Sequence, residues 1–509
     1  MDVNILLTDQ NSFKWSVNQN IYVLGFLFDS ENRILRDDDF LTYCENIKDL
    51  DTFKNKILEQ RGNFAVIIKT KNDVFMAVDS IRTFPLFYLE KDNSFFVSDS
   101  SDYLQKTHCL SFDKTAEHEF LATGYVTKDH TLLTGLFQLQ AGEFIQYSLS
   151  KGLLRKEYYT DYLTHEINLE EDYGVYKKKL ATVLENALDR MLNFVDGKPI
   201  LVPLSGGYDS RLIVCMLKKR GVENVICYTY GATNSHEVII SKKVAESLNY
   251  KWLFIEYNEN TIPHDYLTDP DFQSYYKYAS NHSSVFLLQD YFAVKQLKEK
   301  ELVPNNCIIL PGHSADFLAG SHLSLTDIKN DNRENTIRRI FDKHYNLNKP
   351  VQFSQENNDY LKQISCKFEY AVDENWNLKE RQAKFIVNSV RIYEFFGFEH
   401  YLIFWDREIQ EYFKTLPVEY KHRTKLYLKL IFEDYFNPLS VEYLKEKSEI
   451  KDLLKKMLPN KIKEKLRKKL ASDFNKFDLM KKPLKIQGDE VDTNINSYIA
   501  KWYLQQITL

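Results

Sequence analysis

Cysteine is scarce in this 509-residue chain. The six present (Cys44, Cys109, Cys215, Cys227, Cys307 and Cys366) lie far apart, with no Cys-x-x-Cys pair. That spacing excludes a zinc ribbon and a thioredoxin-type redox motif, and it speaks against a disulfide scaffold. Only 16 Gly and 12 Pro occur, which excludes collagen-like and low-complexity chains. Positive charge is not in excess. The formal net charge is −5 at pH 7, so no basic footprint for nucleic acid exists at whole-chain level. No apolar run approaches the roughly 18 residues that a membrane-spanning helix needs. The opening MDVNILLTDQNSFKW has no basic segment followed by an apolar core, so a secretory signal is not expected. The expectation is a soluble protein of a reducing compartment, read as cytoplasmic.

What the sequence does hold is apolar and aromatic: 44% hydrophobic residues, with 33 Tyr and 34 Phe. At about 150 residues per domain the length suggests two to four domains with more than one core. Residues 1–160 read mostly as strands. IYVLGFLF (21–28), NFAVIIKT (63–70), DVFMAVDS (73–80) and FFVSDS (95–100) are short, β-branched and aromatic, and polar turns separate them. One helical patch is expected near 115–122, followed by strand-like TLLTGLFQL and GEFIQYSL. The polar stretch LTHEINLEED reads as a linker.

Beyond it the period changes. Residues 173–195 carry apolar side chains three and four apart, the helical spacing. Strand PILVPL (199–204), helix 210–220, strand NVICYTYG (224–231), helix 236–248, strand KWLFIEY (251–257), a helix near 284–300 and strand CIILP (307–311) follow. This alternation predicts a parallel sheet with helices on both faces. From about 325 onward the chain reads as helical. The segment 451–470 holds nine Lys/Arg and two acidic residues, a solvated helix face or a contact for an anionic surface.

The strongest chemical signal is Leu204-Ser205-Gly206-Gly207-Tyr208-Asp209-Ser210, at a strand-to-helix turn. Two glycines allow a tight turn and close backbone approach to a ligand. The turn amides and the helix N-terminus then face an anion, with Ser205 and Ser210 as further donors. Asp209 beside a polyanion suggests a divalent cation between them. The lysine of a GxxxxGK[ST] loop is missing, so this is not a Walker A loop. A second loop, Pro311-Gly312-His313-Ser314-Ala315-Asp316, also follows an apolar strand. Ligands collect at the carboxyl ends of parallel strands, so Asp316 is expected near Asp209.

The two loops together resemble the asparagine synthetase family of PP-loop ATP pyrophosphatases, with its β-lactam synthetase and lasso-peptide cyclase relatives. That family pairs an SGGxDS loop with a later SGxGxDE-like loop; here these read LSGGYDS and PGHSADF. Segments 62–88, 120–147 and 394–417 also resemble the family, so the likeness covers nearly the whole chain. It implies a mixed α/β and α+β chain of two domains. The first, over 1–165, would be a degenerate class II amidotransferase-like (Ntn-hydrolase-like) β-rich sandwich. The second, over 166–509, would be a PP-loop α/β parallel sheet with a helical extension.

By the same resemblance Asp209 and Asp316 would be Mg²⁺ ligands, and Ser205, Gly206, Gly207 and Ser210 would hold pyrophosphate. Leu204, Thr229, Tyr230, Gly231 and Gly312 would border the adenosine of ATP. The implied reaction activates a carboxylate as an acyl-adenylate, releases pyrophosphate and lets an amine or ammonia attack. A C-terminal lysine, Lys445 or Lys447, would stabilise charge on the pyrophosphate. Arg391 lies near the family's Asp-Arg pair, and Glu399 and Asp406 match acidic positions in its helical segment, as substrate-site residues or as structural ion-pair members.

Three departures bear on function. Residue 2 is Asp2 where the family's glutaminase half exposes a cysteine, and the nearest cysteine is Cys44. Glutamine hydrolysis is therefore not expected. His313 stands where asparagine synthetases carry an acidic residue and β-lactam synthetases a tyrosine; it reads as a general base or as a structural hydrogen-bonding residue. Phe317 replaces the Glu that usually follows the second Asp. The expected function is ATP-dependent amide-bond formation on a small-molecule or peptide carboxylate. Alternatives are a cyclase or tailoring ligase acting on a peptide, β-lactam-type or sugar-acid substrate, and a non-catalytic nucleotide-binding scaffold. A separate glutaminase and a homodimer are left open.

Overall fold

Strand-forming residues of the first third meet apolar partners on both faces, and the result is two stacked sheets. The computed structural model describes residues 2–8, 11–165, 172–324, 328, 332–348, 354–443, 478–481, 483–484 and 494–508. Lys445, Lys447 and the basic stretch 451–470 lie outside the described residues. The strands of this part are β1 (Asp2–Leu6), β2 (Ser16–Asn18), β3 (Ile21–Phe28), β4 (Ile34–Arg36), β5 (Arg61–Lys69), β6 (Asp73–Val78), β7 (Phe87–Lys91), β8 (Ser94–Ser98), β9 (Phe137–Gln138), β10 (Glu143–Ser148) and β11 (Gly152–Tyr158). One sheet runs β1-β8-β7-β9; the other runs β11-β10-β6-β5-β3-β2, with β4 on β3.

Successive side chains of a strand point to opposite faces. In β5, Ala65 and Ile67 join the cluster that holds Phe95 and Val97 of the other sheet, while Phe64, Val66 and Ile68 meet Phe40, Phe53 and Ile57. The rings of Phe95 and Tyr147 stack across the two sheets with centroids 3.9 Å apart. Helices cover the outer faces: Asp37–Cys44 and residues 50–58 on one side, Ser101–His108 on the other.

These covering helices are a correction to the sequence reading, which expected only the patch now seen as Lys114–Thr123. They are short, and side-chain caps start two of them. Asp49 forms a capping box with Thr52, and Ser100 accepts the Tyr103 amide. Their apolar stripes are defined only by the sheets beneath. The expected strand 131–139 is likewise reduced to Phe137–Gln138. The Thr131 hydroxyl donates to Leu136 O and accepts the Leu133 N–H, folding that segment into a turn.

The second part is built on a parallel sheet: β12 (Ile200–Pro203), β13 (Val225–Gly231), β14 (Lys251–Glu256), β15 (Ile308–Ile309) and β16 (Glu399–His400). Their order is β14-β13-β12-β15-β16, all parallel. Helices Tyr208–Lys219, His236–Ser247 and Tyr291–Glu299 lie between strands in the chain. The helix expected over 284–300 begins only at Tyr291, and helix Pro270–Ser280 was not foreseen. Described residues beyond 325 are mostly helical, as expected, with β16 the exception. No described helix is long and apolar enough to cross a membrane.

The two parts meet over polar as well as apolar contacts. Glu380 accepts the Lys128 N–H at 2.9 Å and the Gln140 side-chain amide at 2.8 Å. Such buried polar links need complete pairing, and Lys384, itself fully buried, adds an ion pair to Glu380 at 2.6 Å.

Candidate functional site

β12 and β15 are neighbours in the sheet, so the two loops that leave their carboxyl ends come together. The first loop folds on itself: Ser210 Oγ accepts the Ser205 N–H at 3.2 Å, and Ser205 Oγ accepts the Gly207 N–H at 3.1 Å. Gly207 caps helix Tyr208–Lys219 without a side-chain acceptor, so no cap occupies the first helical amides. Those amides and the helix dipole suit an anion.

Gly312 of the second loop packs on this turn. A Cβ there would lie 2.5 Å from Ser210 N, closer than any side chain tolerates. This is a close backbone approach that only glycine permits. Ser314 follows with a left-handed φ of 67°, its hydroxyl donating to Gln382 Oε1 at 2.7 Å. Asp316 then lies in a helical first turn, and its N–H donates to Asp209 Oδ2 at 3.2 Å.

A cavity of about 200 Å³ opens between the loops. Of the residues expected from sequence, Leu204, Ser205, Ser210, Thr229, Tyr230, Gly312 and His313 line it. Gly206 and Gly207 belong to the same turn, and Asp209 and Asp316 meet beside it. Gly231 ends β13 with φ of 131°, its carbonyl accepting the Tyr257 N–H, and it does not line the cavity. The Thr229 hydroxyl donates to Leu204 O at 2.6 Å, so that side chain is occupied within the protein.

His313 is the cavity's only expected imidazole, and its Nε2 lies 3.2 Å from Ser389 Oγ. Burial, with His400 nearby, pushes its pKa down to about 4, so it is neutral at neutral pH. Arg391, Glu399 and Asp406 do not line the cavity. Arg391 pairs with Glu394, Glu399 with Arg36 at 2.5 Å, and Asp406 with Arg190 at 2.7 Å. The structural ion-pair alternative is the one the geometry supports for all three. Phe317 is buried and stacks on His322, centroids 4.9 Å apart.

Sequence reasoning missed Glu237, Asp290, Tyr228 and Tyr393, which also line the cavity. Asp290 accepts the Tyr393 hydroxyl at 3.1 Å. It also missed Tyr427, whose hydroxyl donates to Asp209 Oδ1 at 2.9 Å. Arg211, fully buried, donates to Gly206 O at 3.1 Å and to Val441 O at 3.0 Å, tying the first loop to a distant segment. No local motif marks these residues.

The donor set of Asp209 and Asp316 is all oxygen. One or two carboxylates plus substrate phosphates is the arrangement that suits Mg²⁺. Among the described residues no group of three or more His, Cys, Asp or Glu could hold a metal by itself. The pair therefore fits a cation that arrives with a polyphosphate.

The family model for asparagine synthase matches residues 179–488. The Microcin J25-processing protein McjC of Escherichia coli is 30% identical over 166 residues, 31% of this chain and 29% of that protein. A provisionally named asparagine synthetase 1 (glutamine-hydrolyzing) of Methanocaldococcus jannaschii is 24% identical over 320 residues, 61% of this chain and 54% of that one. The chain thus spans about half or less of these relatives' length. Among solved structures, the NH3-dependent NAD synthetase of Campylobacter jejuni matches 42% of this chain and 94% of its own at 13% identity, with a TM-score of 0.21.

Proposed function

The chain belongs to the asparagine synthase family, and from that premise we propose that it is an ATP-dependent amide ligase without glutaminase activity of its own. A carboxylate attacks the α-phosphate of ATP, giving an acyl-adenylate and pyrophosphate. An amine or ammonia then attacks the acyl carbon, and AMP leaves as the amide forms. The observation that carries this reading is the Asp316 N–H on the Asp209 carboxylate, which joins the two acidic loops at the edge of a 200 Å³ cavity.

Each part of the site has a role in this reading. The amides of the Ser205–Gly207 turn and the hydroxyls of Ser205 and Ser210 hold the departing pyrophosphate. Leu204, Thr229, Tyr230 and Gly312 border the adenosine, chiefly through backbone. Asp209 and Asp316 would hold Mg²⁺, which neutralises charge along the triphosphate. His313, neutral at the working pH, accepts the proton of the incoming amine. Lys445 or Lys447 would add positive charge at the pyrophosphate.

Residues 1–165 form the amidotransferase-like part in this reading, and 166–509 the ATP-pyrophosphatase part. Cys44 supports the loss of glutamine hydrolysis. It ends the outer helix Asp37–Cys44 on the face that is fully buried against the sheet, and burial pushes its thiol up to about 12, so it carries no thiolate at neutral pH. The ammonia or amine then comes from outside, a separate glutaminase included.

A second reading keeps the chemistry and changes the acyl substrate to a peptide. The 30% identity to a microcin-processing protein favours it. One experiment addresses both: ATP–pyrophosphate exchange by the purified protein with Mg²⁺ against a panel of amino-acid, sugar-acid and peptide carboxylates. Exchange with one class assigns the substrate. Nucleotide binding without exchange for any of them favours a non-catalytic scaffold.

A further inference from the structure

The Asp209 carboxylate is held from two sides. Oδ2 accepts the Asp316 N–H at 3.2 Å, and Oδ1 accepts the Tyr427 hydroxyl at 2.9 Å. Tyr427 is 2% exposed, and its phenol O–H is a neutral donor to the carboxylate.

The segment that delivers Tyr427 is pinned at its start. Lys421 meets Glu374 at 2.6 Å, and neither side chain has exposed area. Arg423 and Thr424 then take left-handed φ values of 52° and 59°, which side-chain-bearing residues rarely adopt in succession. The helix Lys425–Ile431 starts from this bend, and its third residue is Tyr427. An anchored, bent entry that ends on the Asp209 carboxylate sets that carboxylate's orientation.

We propose that Tyr427 is a positioning residue that aims Asp209 at the divalent cation accompanying the nucleotide. The inference rests on the reading of Asp209 as a metal ligand. Partners that orient a metal ligand are worth about 10- to 100-fold in metal affinity.

The test is Tyr427→Phe, which removes one oxygen and keeps the ring. The probe is Mn²⁺, followed by electron paramagnetic resonance in the presence of a non-hydrolysable ATP analogue. The variant should bind Mn²⁺ about 10- to 100-fold more weakly, with unchanged affinity for the metal-free analogue and a near-wild-type unfolding midpoint. Wild-type Mn²⁺ affinity overturns the inference. So does an equal loss of metal-free nucleotide affinity, which marks a merely structural tyrosine. Asp209→Asn separates the two layers: if it keeps Mn²⁺ binding, the metal assignment itself fails. Should Tyr427→Phe not fold, 3-fluorotyrosine placed at 427 serves instead. Its ¹⁹F resonance should shift when Mg²⁺ joins the analogue complex, and no shift overturns the inference.

Discussion

The Asp316 amide donates to the Asp209 carboxylate across 107 residues of chain, at 3.2 Å. Neither loop could make this contact alone. It exists because β15 pairs with β12, Ile200 opposite Ile308 and Leu201 opposite Ile309. Parallel strands that end together hand their following loops to one place. The Asp209 carboxylate and the start of the Asp316 helix are thereby brought into contact.

Asp209→Ala and Asp316→Ala should each lower ATP–pyrophosphate exchange by about 10²- to 10³-fold, the loss typical of one electrostatic group at a reaction centre. Both residues are at least partly exposed, so the unfolding midpoint should stay near wild type. Exchange at the wild-type rate in either variant would contradict the paired-carboxylate site.

Gly312→Ala should separate the two loops. Its new methyl would meet Ser210 N at 2.5 Å and Ser210 Cα at 2.7 Å, backbone atoms that cannot swing aside. A loss of about 1–3 kcal/mol in stability and weaker nucleotide binding are expected, read by denaturant unfolding and calorimetry. Gly135→Ala is the control: a Cβ there meets nothing within 4 Å, though its φ of 77° carries its own modest strain. Equal nucleotide affinity in the two variants would argue against a tight loop junction.

His313→Gln distinguishes the chemical steps. If His313 accepts the amine's proton, amide formation should fall by about 10²- to 10⁴-fold while pyrophosphate exchange persists. Loss of both in parallel would instead assign His313 to nucleotide binding.

Three histidines, the buried His282 and the half-buried His313 and His344, are each pushed down to about 4 from 6.5, chiefly by desolvation. Below pH 6.5 the unfolded chain takes up protons that the folded chain refuses, so their contribution is complete above that pH and is lost as pH falls toward 4. Glu143, pushed up to about 7, and Asp79, up to about 6, act with the opposite sign. The comparison is therefore variant against wild type: His344→Gln should flatten the decline in stability between pH 7 and 5. An unchanged slope would mean that His344 charges freely in the folded protein.

Lys421→Met should cost about 3–5 kcal/mol, because it takes the ammonium from a fully buried Glu374 carboxylate and leaves the His322 imidazole, at 3.5 Å, as its basic partner. Burial raises the Glu374 carboxyl, but Lys421 and His322 together bring it down to about 2. Adding Glu374→Gln should restore part of the loss in denaturant melts. No difference between single and double variants would show that the pair is not coupled.

Much of this protein is written locally. The apolar runs of β3, β5, β12 and β13 announce strands because side-chain period and β-branching are properties of short windows. The Ser205–Ser210 loop announces an anion site because glycine and helix-start chemistry need only neighbours in sequence. Asp37–Cys44 and Ser101–His108 were not legible, since each shows its apolar stripe only against the sheet it covers. Tyr427, Asp290 and Ser389 were not legible either: an isolated Tyr, Asp or Ser carries no period and no motif.

The sequence by itself thus determined the strand–loop–helix units, the two acidic loops and the family they belong to. Tertiary structure alone decided what surrounds them: that β15 lies beside β12, that Arg391, Glu399 and Asp406 spend their charges on ion pairs, and that a tyrosine 218 residues away holds Asp209. The reason is range. Turn and helix energies act over a few residues, whereas a buried donor finds its acceptor only after sheet order and packing have brought distant segments together.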